Sequence, residues 1–535
     1  MLTTPTLARR VLHVTTVNMT SARRTHRWLV LVIACLATFA INLDTSIVNV
    51  ALPDMSRALG AGTTDLQWIV DGYNLAFAAL VLGAGSFGDR FGRRPLLIVG
   101  LIGFAASSAV GALWTSTGPL IATRLVMGIF AAMIFPTTLS IIANAFPDRA
   151  ERAKAIGVWG AVVGLGVAVG PVSGGLLLEH FWWGSVFVAL VPVALLTALL
   201  AFVFVPESRD PAAPGLDIAG VVTACATIGV LVYTIIEAPH RGWTDPLTLA
   251  GFAATAVLAA VFAMIERNAA HPMLDLSVFR TRAFSAASMS VTVAFFALFG
   301  FIFLVTQFFQ FVRGYGPLAT GVRILPVAGS IAAGAVAGPA LVARFGTRAV
   351  VMSGLFLLGG SFGWIALSPV DMSYTVIVGQ MVLMGLGIGL TQVPATDSIL
   401  SVLPAAKAGV GSAVNDATRE AGGTLGVAVI GSVYVSVFSS QLSSSDLARL
   451  PGGALAQAQE SIGAALAIAR RAGDDLVASV QDSFMTAFHV GCLVGFGVCW
   501  LGALAAIALP GRLRARAADT EESSACPPAD PVLTP

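Results

Sequence analysis

The sequence predicts an all-α polytopic membrane protein with 14 transmembrane helices, built as two six-helix bundles with two further helices inserted between them. Three observations carry that prediction. Of 535 residues, 56% are hydrophobic and only 11% charged, whereas soluble domains carry roughly 25% charged residues. Apolar runs of about 20 residues, the length a bilayer requires, recur about fourteen times. A short polar turn, Gly85-Ser86-Phe87-Gly88-Asp89-Arg90-Phe91-Gly92-Arg93-Arg94-Pro95, returns in degenerate form between Gly338 and Arg348, as a duplicated bundle would leave it.

The runs place the first six spans at Trp28–Pro53, Leu66–Gly88, Pro95–Trp114, Pro119–Ala143, Ala155–Leu178 and Gly184–Val205. Two inserted spans follow, Leu216–Ala238 and Pro246–Ile265, and then six more: Ala283–Val312, Thr320–Val342, Ala349–Leu367, Tyr374–Pro394, Val410–Phe438 and Phe484–Leu509. The thirteenth is the least regular, because Asp416, Arg419 and Glu420 lie near its start. The polar, proline-flanked stretch Pro206–Pro211 closes the first bundle. The expected organisation is an arm over 1–27, a bundle over 28–206, a linker with two helices over 207–270, a bundle over 271–510 and a tail over 511–535. The largest outer segment spans 439–482, and its alanine-rich middle, Ala454 to Val480, reads as an amphipathic helix packed over the outer face.

Charge sets the orientation. With the N-terminus inside, inner segments hold 21 Lys and Arg against seven in outer loops. That asymmetry places both termini in the cytoplasm of a plasma-membrane protein. The duplication also shows in the fourth and twelfth spans, where Met127-Gly128 precedes Phe146-Pro147 by the same interval as Met384-Gly385 precedes Leu403-Pro404. Paired bundles suit a transporter with its site near their interface.

Several function classes are excluded. A net charge of +2 gives no electrostatic case for nucleic acid. The two lysines, Lys154 and Lys407, each follow alanine, so there is no P-loop and no built-in ATP motor. The six histidines form no metal pattern, and four of five cysteines sit in apolar runs. No cofactor is expected; the energy source would be a proton gradient.

An ionisable group deep in a span is costly and hence a candidate for function. Three stand out: Asp44, Asp71 and Arg124. From the helical rise, Asp44 lies about 24 Å from the inner end of its span, and Asp71 and Arg124 each about 8 Å from the outer end. All three therefore fall at one level, and the expectation is a polar cluster that exchanges a proton, with Asp44 as carrier and Arg124 modulating it. The alternative for either carboxylate is wetting from the outer face. The fifth span carries Gly160, Gly164, Gly166, Gly170, Pro171, Gly174 and Gly175, which favour close backbone approach and a bend.

These motifs resemble the major facilitator superfamily, and within it the fourteen-helix drug:proton antiporter family (QacA/EmrB-like multidrug exporters). Gly85, Asp89, Arg90, Gly92, Arg93 and Arg94 look like the superfamily's turn between its second and third helices. Leu43-Asp44-Thr45-Ser46-Ile47-Val48-Asn49-Val50-Ala51-Leu52-Pro53 is similar to the first-helix motif of the fourteen-helix family, and Arg124 with Gly128 to the motif linked with proton coupling. Gly166, Gly170, Pro171, Gly174 and Gly175 resemble the antiporter motif that separates exporters from uptake relatives.

The resemblance implies a major facilitator fold and alternating access, with protons entering as substrate leaves. It implies that the Gly85–Pro95 turn is a cytoplasmic gate, with Asp89 capping the thirteenth span and Arg93 pairing with Asp148 or Glu151. Dication exporters of the family carry a carboxylate in the tenth span; none lies between Thr320 and Val342, which favours neutral or monocationic lipophiles. The expected protein is thus a monomeric membrane exporter of lipophilic small molecules such as drugs, antibiotics and dyes, with no catalytic residues. The alternatives are an exporter of one endogenous metabolite, an uptake symporter and a non-transporting sensor.

Overall fold

The computed structural model describes residues 5–209, 217–269, 272, 274, 276–401, 408–445 and 453–509; the side chains of 5–26, 82, 86, 89, 149, 150, 153 and 408–413 fall outside the description. The first span is α1 (Pro5–Leu59), followed by α2 (Thr63–Phe91), α3 (Arg93–Gly111), α4 (Thr117–Ala145) and α5 (Arg149–His180). The sixth span comes in two pieces, α6 (Ser185–Val188) and α7 (Leu190–Phe204), and the inserted pair is α8 (Ile218–Arg241) and α9 (Pro246–Asn268). Then come α10 (Arg282–Gln307), α11 (Pro317–Phe345), α12 (Thr347–Ala366), α13 (Tyr374–Ser401) and α14 (Ala408–Ser443). Two short helices, α15 (Ala454–Glu460) and α16 (Ile462–Ala472), precede the last span, α17 (Asp474–Ala505).

Among the described residues, 13 helices are long and apolar enough to cross a membrane. The 29-residue α2 occupies the remaining expected position, so each predicted span has its helix. The backbone explains why the regular elements among the described residues are all helices: hydrocarbon offers no hydrogen-bond partner, so each segment must satisfy its own N–H and C=O groups.

Two local expectations change. The arm before Trp28 continues as helix back to Pro5. The single helix expected over Ala454 to Val480 is three pieces, α15, α16 and the first turns of α17, with a first break where the Ser461 hydroxyl accepts from the Ala464 N–H at 3.1 Å and caps α16. Ile462, Ala465, Leu466 and Ala469, on one face of α16, are buried, and α16 packs against α1 and a π-helical turn at Phe308–Val312 that prolongs α10.

The chain divides into two compact units. One contains residues up to 274 with 302–325 and 427–487; the other contains 275–301, 326–426 and 488 onward. In the first, α1 is gripped between α4 and α5, and α2 lies between α4 and α8. The inserted helices are held by few contacts. Trp68 and Tyr233 meet at 6.1 Å between α2 and α8, while α9 buries only Thr248 and Glu266 and leaves Leu247, Leu249, Val257 and Met264 exposed. An apolar face of this kind suits lipid.

The duplication is visible in the turns. Gly92 ends α2 with φ +110°, and Gly346 ends α11 with φ +86°, a region that disfavours any side chain. Two residues on, Arg94 Nη2 donates to the Phe202 carbonyl at 2.6 Å, and Arg348 Nε donates to the Leu509 carbonyl at 2.9 Å. In both copies an arginine after the turn ties it to the end of that bundle's last helix. The Asp89 side chain, the Leu403-Pro404 pair and the side chains that open α14 lie outside the described residues, and with them the expected cap of the thirteenth span.

Candidate functional site

Arg124 is the largest fully buried side chain among the described residues. Its Nη1 donates to Asp44 Oδ2 at 2.7 Å, and its Nε donates to the Ile69 carbonyl at 2.9 Å. Arginine and carboxylate are 1% and 0% exposed. The guanidinium carbon stands 4.3 Å from the centre of the Tyr73 ring and 5.9 Å from that of Phe187. A desolvated cation over an aromatic face is worth about 2 kcal/mol. Four elements thus converge on one cation: α1 brings the carboxylate, α2 the ring and carbonyl, α4 the arginine, and α6 a second ring.

The sequence sets up this meeting locally. Gly128, one turn after Arg124, lets α4 press onto α2, because a Cβ there would fall on the Tyr73 carbonyl oxygen. The pair itself is single rather than forked. Asp44 Oδ1 has no hydrogen-bond partner among the described residues. A buried carboxylate with one oxygen satisfied can accept a proton on the other without first breaking the bond to its arginine.

The expected three-way cluster is only partly formed. Asp44 and Arg124 meet, but Asp71, 0% exposed, pairs with neither. Among the described residues both its oxygens lack a hydrogen-bond partner, as do both side-chain polar atoms of Asn74. Equal depth placed all three at one level, yet depth says nothing about direction around a helix. Asp71 and Asn74 share a face with Gln67 at helical spacing, and Gln67 Nε2 donates to the Val427 and Ala428 carbonyls of α14, each at 3.2 Å.

The glycines of α5 lie where the sequence predicts close approach. A Cβ on Gly166 would meet Asn42 at 2.9 Å, one on Gly170 would collide with the Ser46 hydroxyl, and one on Gly174 would meet Ile47 at 2.7 Å. All three contacts are with α1, beside Asp44. Ser46 Oγ also donates to the Gly166 carbonyl at 3.3 Å. Gly175 turns outward, within 2.6 Å of Leu318 for a Cβ, and the Pro171 carbonyl lies against Gly321 of α11. Gln310 Nε2 donates to the Val50 carbonyl at 2.9 Å nearby.

In the Gly85–Pro95 turn, Arg94 holds the Phe202 carbonyl as described, with its guanidinium 5.2 Å from the Phe202 ring centre. The backbone N–H of Arg93 donates to the Ser208 carbonyl at 2.9 Å. Arg90 stands 5.8 Å from the Phe91 ring centre. Gly85 approaches Pro136 of α4, and Gly92 would bring a Cβ within 2.6 Å of Glu207 Oε1. Glu151 lies 3.8 Å from Arg27.

One group was read from sequence only as a blemish in a span. Asp416 and Arg419 lie 3.8 Å apart on α14, with Arg419 4.6 Å from the Phe295 ring centre and Glu420 Oε2 unpartnered. The same argument that singled out Asp44, an ionisable group within a span, applies to Asp416. Among the described residues no group of His, Cys, Asp and Glu is arranged to hold a metal ion.

Comparison with known proteins follows the fold. The family model described as Major Facilitator Superfamily matches residues 34–427. The chain is 34% identical over 92% of its length to the multidrug efflux pump LfrA of Mycolicibacterium smegmatis, covering 97% of that protein. It is 33% identical over 94% of both chains to the tetracenomycin C resistance and export protein of Streptomyces glaucescens. The methyl viologen resistance protein SmvA of Salmonella typhimurium is 34% identical over 86% of this chain and 93% of its own. Among solved structures, a bacterial homologue of the human lysosomal transporter Spinster superposes with a TM-score of 0.63 at 17% identity, over 91% of this chain and 99% of the other, which speaks for the fold alone. An integral membrane protein of this helix order, with these relatives, belongs to the Major Facilitator Superfamily.

Proposed function

We propose that this chain is a proton-coupled antiporter that exports lipophilic small molecules by alternating access. Its place would be the plasma membrane, with both termini cytoplasmic, as a monomer that needs lipid, protons and substrate but no nucleic acid, cofactor or catalytic residue. The buried Asp44–Arg124 pair carries the reading. An ion pair sealed in a span is costly, and a half-satisfied carboxylate there suits reversible protonation. Relatives named for multidrug efflux and for tetracenomycin C resistance and export support drugs as the substrate class.

The packing supports a route from the coupling pair to the contact between α5 and α11. α1 carries Asp44 on one side and Asn42, Ser46 and Ile47, beneath the α5 glycines, on another. α5 in turn meets α11 at Pro171 and Gly175. Neutralising Asp44 loosens α1 from α4, and α5 moves with α1, so the outer contact at Leu318 and Gly321 responds. Asp89 serves the cytoplasmic gate; Asp89→Asn slows the cycle without uncoupling it.

Efflux from everted vesicles tests the reading, using a panel of neutral, monocationic and dicationic dyes with and without a pH gradient. Gradient-dependent efflux of neutral or monocationic dyes is expected, and Asp44→Asn abolishes it while protein remains in the membrane. Efflux unchanged when the gradient collapses would overturn antiport.

A further inference from the structure

The guanidinium of Arg124 cannot shed its own proton. When Asp44 is neutral, a full positive charge therefore stays buried in α4 with its counter-charge gone. Besides Asp44, four groups lie within reach of that cation: the Ile69 carbonyl, 2.9 Å from Nε, the face of Tyr73, 4.3 Å from the guanidinium carbon, the Met127 sulfur at 4.0 Å and the Phe187 ring at 5.9 Å. The carbonyl and the nearer ring both come from α2. The carbonyl holds one edge of the guanidinium, whereas the ring covers its plane.

Tyr73 is itself fixed at both ends. Its backbone lies under Gly128 of α4, where no Cβ fits. Its ring meets Phe77 at 6.1 Å, Phe77 meets Phe135 at 5.6 Å, and Phe135 meets Trp159 at 5.2 Å, edge-on or tilted at each step. The row ends in a buried clasp: Trp159 Nε1 donates to Thr38 Oγ1 at 2.8 Å and to Thr138 Oγ1 at 3.1 Å, and the two hydroxyls bond each other at 3.1 Å. That clasp joins α1, α4 and α5. Tyr73 thus lies on a continuous aromatic row within one unit, with one face of its ring turned to the cation.

We propose that Tyr73 is a positioning residue for the coupling pair, whose ring face holds Arg124 in register while Asp44 is protonated, so that the pair re-forms when the proton leaves. The proposal rests on Asp44 and Arg124 being the coupling pair. It predicts that what matters at position 73 is the electron-rich face and not the hydroxyl.

The test uses purified full-length protein in proteoliposomes, with ethidium or whichever panel dye the wild-type chain exports fastest. Gradient-driven efflux and counterflow exchange without a gradient are measured side by side. Tyr73→Phe keeps both. Introducing 3,4,5-trifluorophenylalanine at position 73 preserves shape but withdraws the ring's negative face; gradient-driven efflux is expected to fall about tenfold while counterflow stays within about twofold. Tyr73→Leu shows the same split. Equal loss of both activities, or no change on fluorination, would overturn the proposal. Asp44→Asn in the same preparation separates the two claims: if it still pumps against the gradient, the coupling pair is misassigned, whereas an uncoupled Asp44→Asn beside an indifferent position 73 refutes Tyr73 alone.

Discussion

The fourth helix of each bundle, α4 and α13, was built to the same packing plan and then given different chemistry. Both carry a Met-Gly pair, and in both the glycine lets the helix press onto the second helix of its own bundle: Gly128 onto Tyr73 and Ala76 of α2, Gly385 onto Ser330 and Val327 of α11. Just outside, both tie themselves to the turn after the third helix, with Trp114 donating to Thr123 at 2.8 Å and Gln380 donating to Ser368 at 2.8 Å. One residue on, the copies part. α4 has Arg124; α13 has Met381, fully buried. Small residues at helix crossings are what membrane packing demands of either copy. A buried cation is demanded by neither, so Arg124, with Met381 at the matching position of α13, is what sets the two fourth helices apart.

The sharpest way to break this comparison is to give α4 the residue of α13. Arg124→Met leaves Asp44 buried beside a thioether, so a loss of about 3–5 kcal/mol in stability is expected if the carboxylate stays charged, with gradient-driven efflux at background. Adding Asp44→Asn removes the orphaned charge, and most of the stability returns without the transport. Thermal melts in detergent and everted-vesicle efflux read the two effects separately. A double variant that pumps would show that the pair is a structural element only.

A second pair of variants tests whether the shared plan is real. Gly128→Ala and Gly385→Ala each drive a methyl into the facing helix, and overpacking of this kind costs about 1–3 kcal/mol. Comparable falls in melting temperature are expected in both. If Gly385→Ala is silent while Gly128→Ala is severe, the second copy has relaxed its crossing and the equivalence fails.

The sequence displayed most of this fold because hydrocarbon leaves few choices. A run such as Pro246–Ile265 must be a helix, and the observed α9 starts at that same proline. The Gly85–Pro95 turn announced itself by glycines and charge, and Gly92 duly takes a φ that only glycine tolerates easily. The site was less legible. Counting residues from a span's end fixes depth, so Asp44, Asp71 and Arg124 could be placed on one level, but only the rotation of α2 decides that Ile69 and Tyr73 meet Arg124 while Gln67, on the face Asp71 shares, meets α14. Tyr73 carried no signal at all, because an aromatic in an apolar helix looks like packing until the guanidinium over it is seen. Asp416 was visible as a charge, yet it read as a doubt about where a span begins.

The smallest expected effect separates the copies at their turns. Arg94 and Arg348 perform the same task, each donating to a carbonyl at the end of its bundle's last helix. Arg94 does one thing more: its guanidinium also covers Phe202. Both arginines are partly solvated, so each lost hydrogen bond is worth about 1 kcal/mol, and the ring contact adds about 0.5–1 kcal/mol at such a site. Arg94→Ala should therefore lower the melting temperature more than Arg348→Ala. Phe202→Leu should close the gap, since it removes the extra contact and leaves the carbonyl bond. If the gap persists in the Phe202→Leu background, the difference lies in the turn itself, where Glu207 crowds Gly92 in the first copy.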